Sequence, residues 1–255
     1  MPVSKKHPAI RRVQPSAKCC FLLYAWPGAG KTRFIGQPGT LILRPPTDHT
    51  DSIRIDGVDE WVLNGWEDTY EVEEFLRHNP DAYEWVWLDS ISLFQDHGLW
   101  EVFEEAVAKN PHRKQGPIDR GEYGISFTRL SAFCRNMVGM PGFNFGITAH
   151  PRDTAGEVDA DAKLWPWIQG KNMPFKICGY MNIVGYMEVV NQKGKQRRVL
   201  RLNETEEYVA KDQYDLTPDG RMVDPSMAKI NAALAARKAK PKTTTRRTTR
   251  RVGSK

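Results

Sequence analysis

The sequence predicts an α/β protein with a mostly parallel sheet that is flanked by helices and extended by antiparallel strands. Two observations favour this class. Over about the first 150 residues, short apolar runs alternate with segments of helical spacing, the order that parallel sheets require. Over about the next 60 residues the pattern is mostly that of strands. With 255 residues, 40% of them apolar and 27% charged, the chain suits one globular domain with extensions.

The alternating part predicts its elements in order. The apolar run at 19–25 predicts a strand buried on both faces, and after a glycine-rich turn Lys31 begins a short helix. Further apolar segments predict strands at 40–43, 61–63, 83–88 and 143–149. Apolar residues at helical spacing predict helices at 68–78, 90–109 and 122–138, with a polar loop at 111–120.

In the later part, Pro, Gly and other turn residues indicate where the predicted elements begin and end. Segment 151–175 is rich in Pro, Gly and Trp and has little periodicity, which predicts a loop. The runs 178–190 and 197–202 flank Asn-Gln-Lys-Gly-Lys, so they predict a hairpin. Asp224-Pro225 is expected to cap and start a final helix that ends near residue 237.

The net charge of +6 is unevenly distributed along the chain. Residues 1–18 hold five basic side chains and residues 226–255 hold ten, with no acid in either segment, whereas the part between them is acidic. This predicts a basic arm at 1–18, a domain at 19–237 and a disordered basic tail at 238–255. Basic tails attract nucleic-acid phosphates. They can also be solubilising, or fold back on an acidic body. The candidate DNA contacts in the tail are Arg246, Arg247, Arg250 and Arg251.

Several classes of protein are disfavoured by what the sequence lacks. The four cysteines form neither a CxxC pair nor a Cys/His cluster, which argues against a disulfide framework and a zinc site. The longest apolar run, at 19–26, is too short for a transmembrane helix and lacks a signal-peptide cleavage pattern. We therefore expect a soluble, reduced, cytoplasmic protein with no membrane partner.

The strongest motif is Ala-Trp-Pro-Gly-Ala-Gly-Lys-Thr at 25–32, between a predicted buried strand and a helix. This is the context of a phosphate-binding P-loop, although Ala25 replaces the usual first glycine. Glycines let backbone N–H groups surround phosphate oxygens, Lys31 reaches the β- and γ-phosphates, and Thr32 coordinates Mg²⁺. A chance glycine turn is the alternative. The sequence thus predicts binding of ATP and Mg²⁺ by Pro27, Gly28, Ala29, Gly30, Lys31, Thr32 and Arg33.

A second part of such a site is an acid at the end of a buried strand. The apolar residues 85–88 end in Asp89, which can complete the Mg²⁺ shell beside a P-loop; otherwise it would be a turn residue. Ser90, not Glu, follows it, so the carboxylate that orients the attacking water must come from elsewhere. Our candidate is Asp48, after the second predicted strand; it could equally cap a turn.

A third part is a polar residue at the tip of the next predicted core strand. His150 ends the apolar segment 146–149 and precedes an irregular loop. At this place it could contact the γ-phosphate and couple phosphate loss to the loop beyond. The alternative is a purely structural histidine.

Together these pieces resemble the RecA-like P-loop ATPases of tailed phages, including those proposed as single-strand annealing proteins. The resemblance rests on 27–32, 87–90, 147–150, the hairpin at 178–202 and Tyr-Val-Ala-Lys-Asp at 208–212, and it covers roughly residues 19–237. It implies a RecA-like core, assembly into head-to-tail rings or filaments with nucleotide between subunits, and a location in the host cytoplasm.

The resemblance also implies roles for individual residues. In related proteins a Lys-Asn-Arg or Lys-Asp-Arg motif reaches a neighbouring subunit's nucleotide. Here Lys211 and Asp212 match, but Gln213 replaces the Arg, so Lys211 is either trans-acting or a solvated surface lysine. RecA-like folds place DNA-binding loops after the strand that ends in His150. Trp165 and Trp167 are therefore candidates for stacking on bases, with a core or interface role as the alternative.

The sequence favours a Mg²⁺-dependent ATPase, stimulated by DNA, that works on single-stranded DNA with replication or recombination partner proteins. The runner-up is a nucleotide-binding annealing or loader module with little turnover. A small-molecule P-loop kinase is a third class, but no Arg-rich lid is recognisable in the predicted folded body.

Overall fold

The computed structural model describes residues 18–112, 116–154, 162–192 and 194–239. The predicted elements of the alternating half are confirmed, with ends that differ by a few residues. They are β1 (Cys20–Tyr24), α1 (Lys31–Ile35), β2 (Thr40–Arg44), β3 (Val58–Val62), α2 (Trp66–His78), β4 (Trp85–Leu88), α3 (Ile91–Lys109), α4 (Arg120–Gly139) and β5 (Asn144–Ala149). The predicted basic arm lies almost entirely outside the described residues, as do the tail beyond residue 239 and its four candidate arginines.

The later half contains more regular structure than the sequence predicts. Its elements are β6 (Pro151–Asp153), β7 (Leu164–Pro166), α5 (Met173–Tyr180), β8 (Ile183–Gln192), β9 (Lys195–Arg201), β10 (Lys211–Asp212), β11 (Arg221–Val223) and α6 (Met227–Ala239). The hairpin and the final helix are confirmed. The helix, however, begins after Asp224-Pro225, where the hydroxyl of Ser226 accepts a hydrogen bond from the Lys229 N–H.

Two predictions for this half are wrong. Segment 151–175 is not a plain loop, because β6 and β7 pair as a two-stranded antiparallel sheet within it. The first hairpin strand does not start at Cys178, because this residue lies in α5. A short apolar run does not distinguish a buried helix from a strand. Here Pro174 fits the first turn of a helix, and Met173, Ile177 and Cys178 bury one side of it.

One sheet of nine strands forms the centre of the described residues. Its order is β11-β9-β8-β1-β5-β4-β2-β3, with β10 paired to β8. The pairings from β8 to β3 are parallel, whereas β9, β10 and β11 are antiparallel to their neighbours. The predicted class, a mostly parallel sheet extended by antiparallel strands, is therefore confirmed.

The central strand β1 separates two hydrophobic cores. Alternate residues of a strand point to opposite faces. Leu22 and Tyr24 accordingly enter the core that α3 and α4 cover, and Phe21 and Leu23 enter the core that α1 and α6 cover. Burial on both faces explains why the strand reads as a continuous apolar run.

The parallel arrangement gathers the predicted site at one edge of the sheet. The carboxyl ends of parallel strands meet at the same edge, which is where α/β proteins bind ligands. The P-loop follows β1, the loop with Asp48 follows β2, Asp89 follows β4 and His150 follows β5. None of the helices formed by the described residues is long and apolar enough to cross a membrane.

Candidate nucleotide-binding site

The P-loop wraps from β1 into α1 through two glycines with left-handed backbone. Gly28 has φ of 80° and Gly30 has φ of 94°, values that side-chain-bearing residues rarely adopt, so glycine is needed at both positions. Lys31 is 8% exposed, and its Nζ donates to the carbonyl oxygen of Ala25 at 2.9 Å. Burial lowers the pKa of Lys31, while the nearby carboxylates of Asp89 and Asp48 oppose that shift.

Asp89 is the centre of the polar cluster. Its side chain is buried, and each carboxylate oxygen accepts a hydrogen bond from a threonine hydroxyl. The hydroxyl of Thr32 in the P-loop donates to Oδ2 at 2.7 Å, and the hydroxyl of Thr148 in β5 donates to Oδ1. Burial raises the pKa of Asp89, and the two hydroxyl hydrogen bonds counter that rise. The cluster therefore ties β4, β5 and α1 together.

The donor set suits Mg²⁺. This ion prefers oxygen ligands and is bound through one or two protein groups, with phosphates and waters completing the shell. The Thr32 hydroxyl and the Asp89 carboxylate provide such oxygens within hydrogen-bonding distance of each other. Across the described ranges, no group of three or more His, Cys, Asp or Glu side chains could hold a metal without a ligand's help.

Asp48 lies beside this cluster. Its Oδ2 accepts the backbone N–H of Ser90 at 3.1 Å, and its Oδ1 accepts the N–H of His49 at 2.9 Å. It is close enough to raise the pKa values of Lys31 and His150 electrostatically. The structure thus brings together residues that lie far apart in the sequence, while the role of Asp48 as base stays a prediction.

His150 is half-buried at the end of β5. Its backbone N–H donates to the Ser92 hydroxyl at 3.0 Å, and its carbonyl oxygen accepts the N–H of Trp167 at 2.7 Å. The centroids of the His150 and Trp167 rings are 6.4 Å apart. Burial and the nearby charge of Lys31 lower the pKa of His150, against the opposing effect of Asp48, so the imidazole is neutral at pH 7.

The segment after β7 is fixed to α3. Ser92 donates its hydroxyl to the carbonyl oxygen of Trp167 at 2.7 Å. The side chain of Gln95 makes two hydrogen bonds to the backbone of Gln169, at 2.7 and 3.0 Å. The Trp167 side chain remains 40% exposed. Trp165 is half-exposed on β7, where it lies opposite Arg152 of β6 in the strand register.

Lys211 lies elsewhere, on β10. It is half-buried, and its Nζ donates to the carbonyl oxygen of Met181 at 2.7 Å. Lys211 therefore has an intramolecular partner, and a contact across subunits stays a prediction.

Sequence reasoning missed Thr148, which touches the site, and left the role of Arg198 open. Thr148 had a signal, since it is a polar residue in an apolar strand just before His150. For Arg198, the basic cluster at 193–198 left two interpretations open, a solvated hairpin turn and a phosphate contact. Its Nε donates from β9 to the carbonyl oxygen of Ala29 at 2.7 Å, a contact across most of the chain. Only the sheet order, with β9 two strands from β1, brings it there.

The fold and this site together define a P-loop ATPase-type domain. A family model described as an AAA domain matches residues 17–214, more than half of the chain. The chain therefore belongs to this AAA domain family, which also supports nucleotide binding. No curated protein matches the chain.

Proposed function

We propose that this protein is a Mg²⁺-dependent ATPase with a RecA-like mechanism that acts on single-stranded DNA in phage recombination or replication, in the host cytoplasm. One observation carries the proposal. The backbone N–H of Trp167 donates to the carbonyl oxygen of His150, so a candidate DNA-stacking residue is hydrogen-bonded to a candidate phosphate-sensing residue.

The P-loop residues would hold the nucleotide. When a nucleotide enters, the Lys31 ammonium would leave the Ala25 carbonyl oxygen and donate to the β- and γ-phosphates. Thr32 and Asp89 would hold the Mg²⁺ ion, which neutralises phosphate charge when bound. Thr148 keeps the Asp89 carboxylate in place through its hydroxyl donor.

Two residues would act at the terminal phosphate. Asp48 would accept a hydrogen bond from the attacking water and orient it. His150 is neutral at pH 7 and can donate one ring N–H to the γ-phosphate. Loss of that phosphate would remove the hydrogen-bond acceptor, and the resulting shift of His150 would reach Trp167 through the backbone.

The expected partner is single-stranded DNA, bound by a homo-oligomer. Exposed aromatic side chains stack on bases without regard to sequence, and Trp167 is such a side chain. Fifteen basic residues concentrated in 1–18 and 226–255 would add attraction to phosphates that weakens with salt.

The test is ATP turnover with and without single-stranded DNA, at low and physiological salt, with Lys31→Ala as the control. We expect DNA to raise turnover of the wild-type chain and no turnover in the variant. Turnover that is indifferent to DNA would refute the DNA-linked function while leaving an ATPase.

A second candidate is an annealing or loader module that binds ATP with little turnover. It is favoured by the hydrogen bonds of Asp48, whose two carboxylate oxygens already accept backbone N–H groups from His49 and Ser90. These contacts occupy both oxygens, one of which would have to accept a hydrogen bond from the attacking water. If wild-type turnover is negligible although ATP binds, the module is supported; if Asp48→Asn lowers measurable turnover about 100-fold or more, the ATPase is supported.

A further inference from the structure

A groove lies between α4 and α5, as a cavity of about 350 Å³. Its lining residues follow helical spacing along 127–135 of α4 and along 173–180 of α5, so each helix contributes one of its sides. With a rise of about 1.5 Å per residue, the α4 wall is about 12 Å long. The groove is formed by residues that the candidate nucleotide-binding site does not use.

The inner surface of the groove is apolar. Met173 is buried, and Phe127 and Ala132 are half-buried. Part of the Phe127 ring is covered by the chain before α5, because a Cβ added to Gly170 would come within 2.8 Å of it. Tyr180, the other aromatic residue of the lining, is half-buried too. The groove therefore offers apolar contact area, but neither ring is exposed as a platform for a base.

Hydrogen-bond donors surround this apolar surface. Arg135 of α4 and Lys176 of α5 are exposed side chains on opposite walls. Within the described ranges, neither side chain has an ion-pair or hydrogen-bond partner, and the hydroxyls of Ser131 and Tyr180 have none either. A guanidinium and an ammonium can only donate, and a hydroxyl can donate one hydrogen bond. The lining thus matches a ligand that carries hydrogen-bond acceptors.

The two cations of the groove are not neutralised by acids of their own helices. After Glu122, which is buried in its first turn, α4 contains no Asp or Glu, and α5 contains none at all. The part of the chain between the two basic termini nevertheless has more acidic than basic residues. Two like charges beside one groove repel each other, and an anion bound between them would relieve that repulsion. The groove is therefore a cationic surface on an acidic domain, which is complementary to an anionic partner.

Nucleic acid and acidic peptide are two macromolecular ligands with this chemistry. A nucleic-acid strand is held by a row of cations along its phosphates and by exposed aromatic faces under its bases. The groove has one cation on each wall, and its two aromatic rings are half-buried. An extended peptide advances about 3.3 Å per residue, so a groove about 12 Å long holds three or four residues. One carboxylate and one apolar side chain then use both parts of the lining, which favours a peptide.

We propose that the groove between α4 and α5 is the docking site for an acidic, partly apolar peptide segment of a partner protein. A carboxylate of the segment would lie between Arg135 and Lys176, and an apolar side chain would pack on Ala132 and Met173. The inference goes beyond the proposed function, because the groove would recruit a protein whether or not the chain acts on DNA.

Selection from a displayed library of random peptides tests this surface on the full chain. We expect the enriched peptides to combine Asp or Glu with an apolar residue. Fluorescence anisotropy should show that Arg135→Glu with Lys176→Glu weakens their binding about 10-fold or more, and that added salt weakens binding to the wild type. The control pair Arg54→Glu with Lys109→Glu makes the same charge change at exposed positions outside the groove and should bind like the wild type.

A second variant tests the apolar part of the groove. Ala132→Trp would fill it without a change of charge and should abolish peptide binding. Ala108→Trp, at an exposed position of α3, should leave peptide binding unchanged. Because Arg135 and Lys176 are exposed, the charge variant decides the question even if Ala132→Trp does not fold.

Three outcomes would overturn the proposal. The selection enriches no acidic peptides, or the enriched peptides bind a folded groove variant as tightly as the wild type. In the third, a thymidine oligonucleotide displaces the peptides from the wild-type chain, and the groove is then a nucleic-acid surface. Loss of peptide binding in the groove variants, with both controls intact, would support the proposal.

Discussion

The Thr148 hydroxyl in β5 donates to the Asp89 carboxylate at the end of β4, so two adjacent strands are joined at their carboxyl ends by side chains. Both groups are buried. Without Thr148, the only one of these two hydroxyl donors left to Asp89 would be Thr32. Thr32 belongs to the loop that would rearrange when it binds phosphate. Thr148 is therefore the fixed support of the candidate metal ligand.

Replacing Thr148 with Val should damage both stability and turnover. The variant keeps the shape of the side chain but leaves one buried carboxylate oxygen without its donor, which costs about 1–3 kcal/mol. Urea unfolding should show this loss, and turnover should need a higher Mg²⁺ concentration. Thr128→Val, at an exposed position in α4, is the control and should change stability by less than about 0.5 kcal/mol. Equal stability of the two variants would contradict the supporting role.

Replacing Trp167 with Ala should weaken binding of single-stranded DNA. Loss of one stacked base costs about 1–3 kcal/mol, whereas ATP affinity should stay the same because the side chain is not part of the phosphate site. Fluorescence anisotropy with labelled oligonucleotide measures the first quantity and calorimetry the second. Trp100→Ala removes a tryptophan of similar exposure from α3 and should have no effect on DNA binding. If both variants bind DNA alike, Trp167 does not contact bases.

Replacing Arg198 with Ala should lower nucleotide affinity by about 10-fold. The variant would lose a hydrogen bond from the guanidinium to a phosphate oxygen, and a hydrogen bond to a charged group is worth about 1.5–3 kcal/mol. The same change removes the hydrogen bond to the Ala29 carbonyl oxygen, so the unliganded P-loop should exchange its amide hydrogens faster. Arg221→Ala is the control, because its exposed ion pair with Asp219 contributes little. Unaltered nucleotide affinity in Arg198→Ala would remove this arginine from the site.

The lowered pKa of His150 predicts a pH-dependent stability. Between that pKa and the ordinary value near 6.5, the unfolded chain binds a proton that the folded chain does not, so stability falls as pH falls through this window. The slope from one such group is at most about 1.4 kcal/mol per pH unit.

Urea unfolding of wild type and His150→Gln between about pH 5 and pH 7.5 tests this slope. The variant should lose the part of the slope that His150 supplies. His78→Gln, at an exposed position at the end of α2, should keep it. A wild-type slope that survives in His150→Gln would assign the effect to another group.

The sequence predicted those parts of the candidate site whose residues lie within one continuous segment of the chain. A run of buried residues followed by glycines and Lys31 is visible within one segment, and so is an apolar strand that ends in Asp89. The order of parallel strands then brings such segments to one edge without further information. This is why the P-loop, Asp48, Asp89 and His150 were predicted as one group.

Contacts across the antiparallel extension were not predictable in this way. Arg198 reaches the P-loop only because β8 pairs with β1 and β9 turns back beside β8. The turn residues predict that β9 lies beside β8, but nothing in the residues around Arg198 indicates that β8 pairs with β1. The error at Cys178 has a different cause, since a short apolar segment before β8 fits a helix and a strand equally well until its packing partners are known.

The hydrogen bond from the Ser90 N–H to Asp48 has a mechanical consequence. It links the loop after β2 to the turn after β4, so the candidate water-orienting group and the candidate metal ligand are held at a fixed separation. Thr148 joins β5 to the same carboxylate. Under the proposed function, a motion driven by hydrolysis would therefore arise in the segment beyond His150 and not within the sheet.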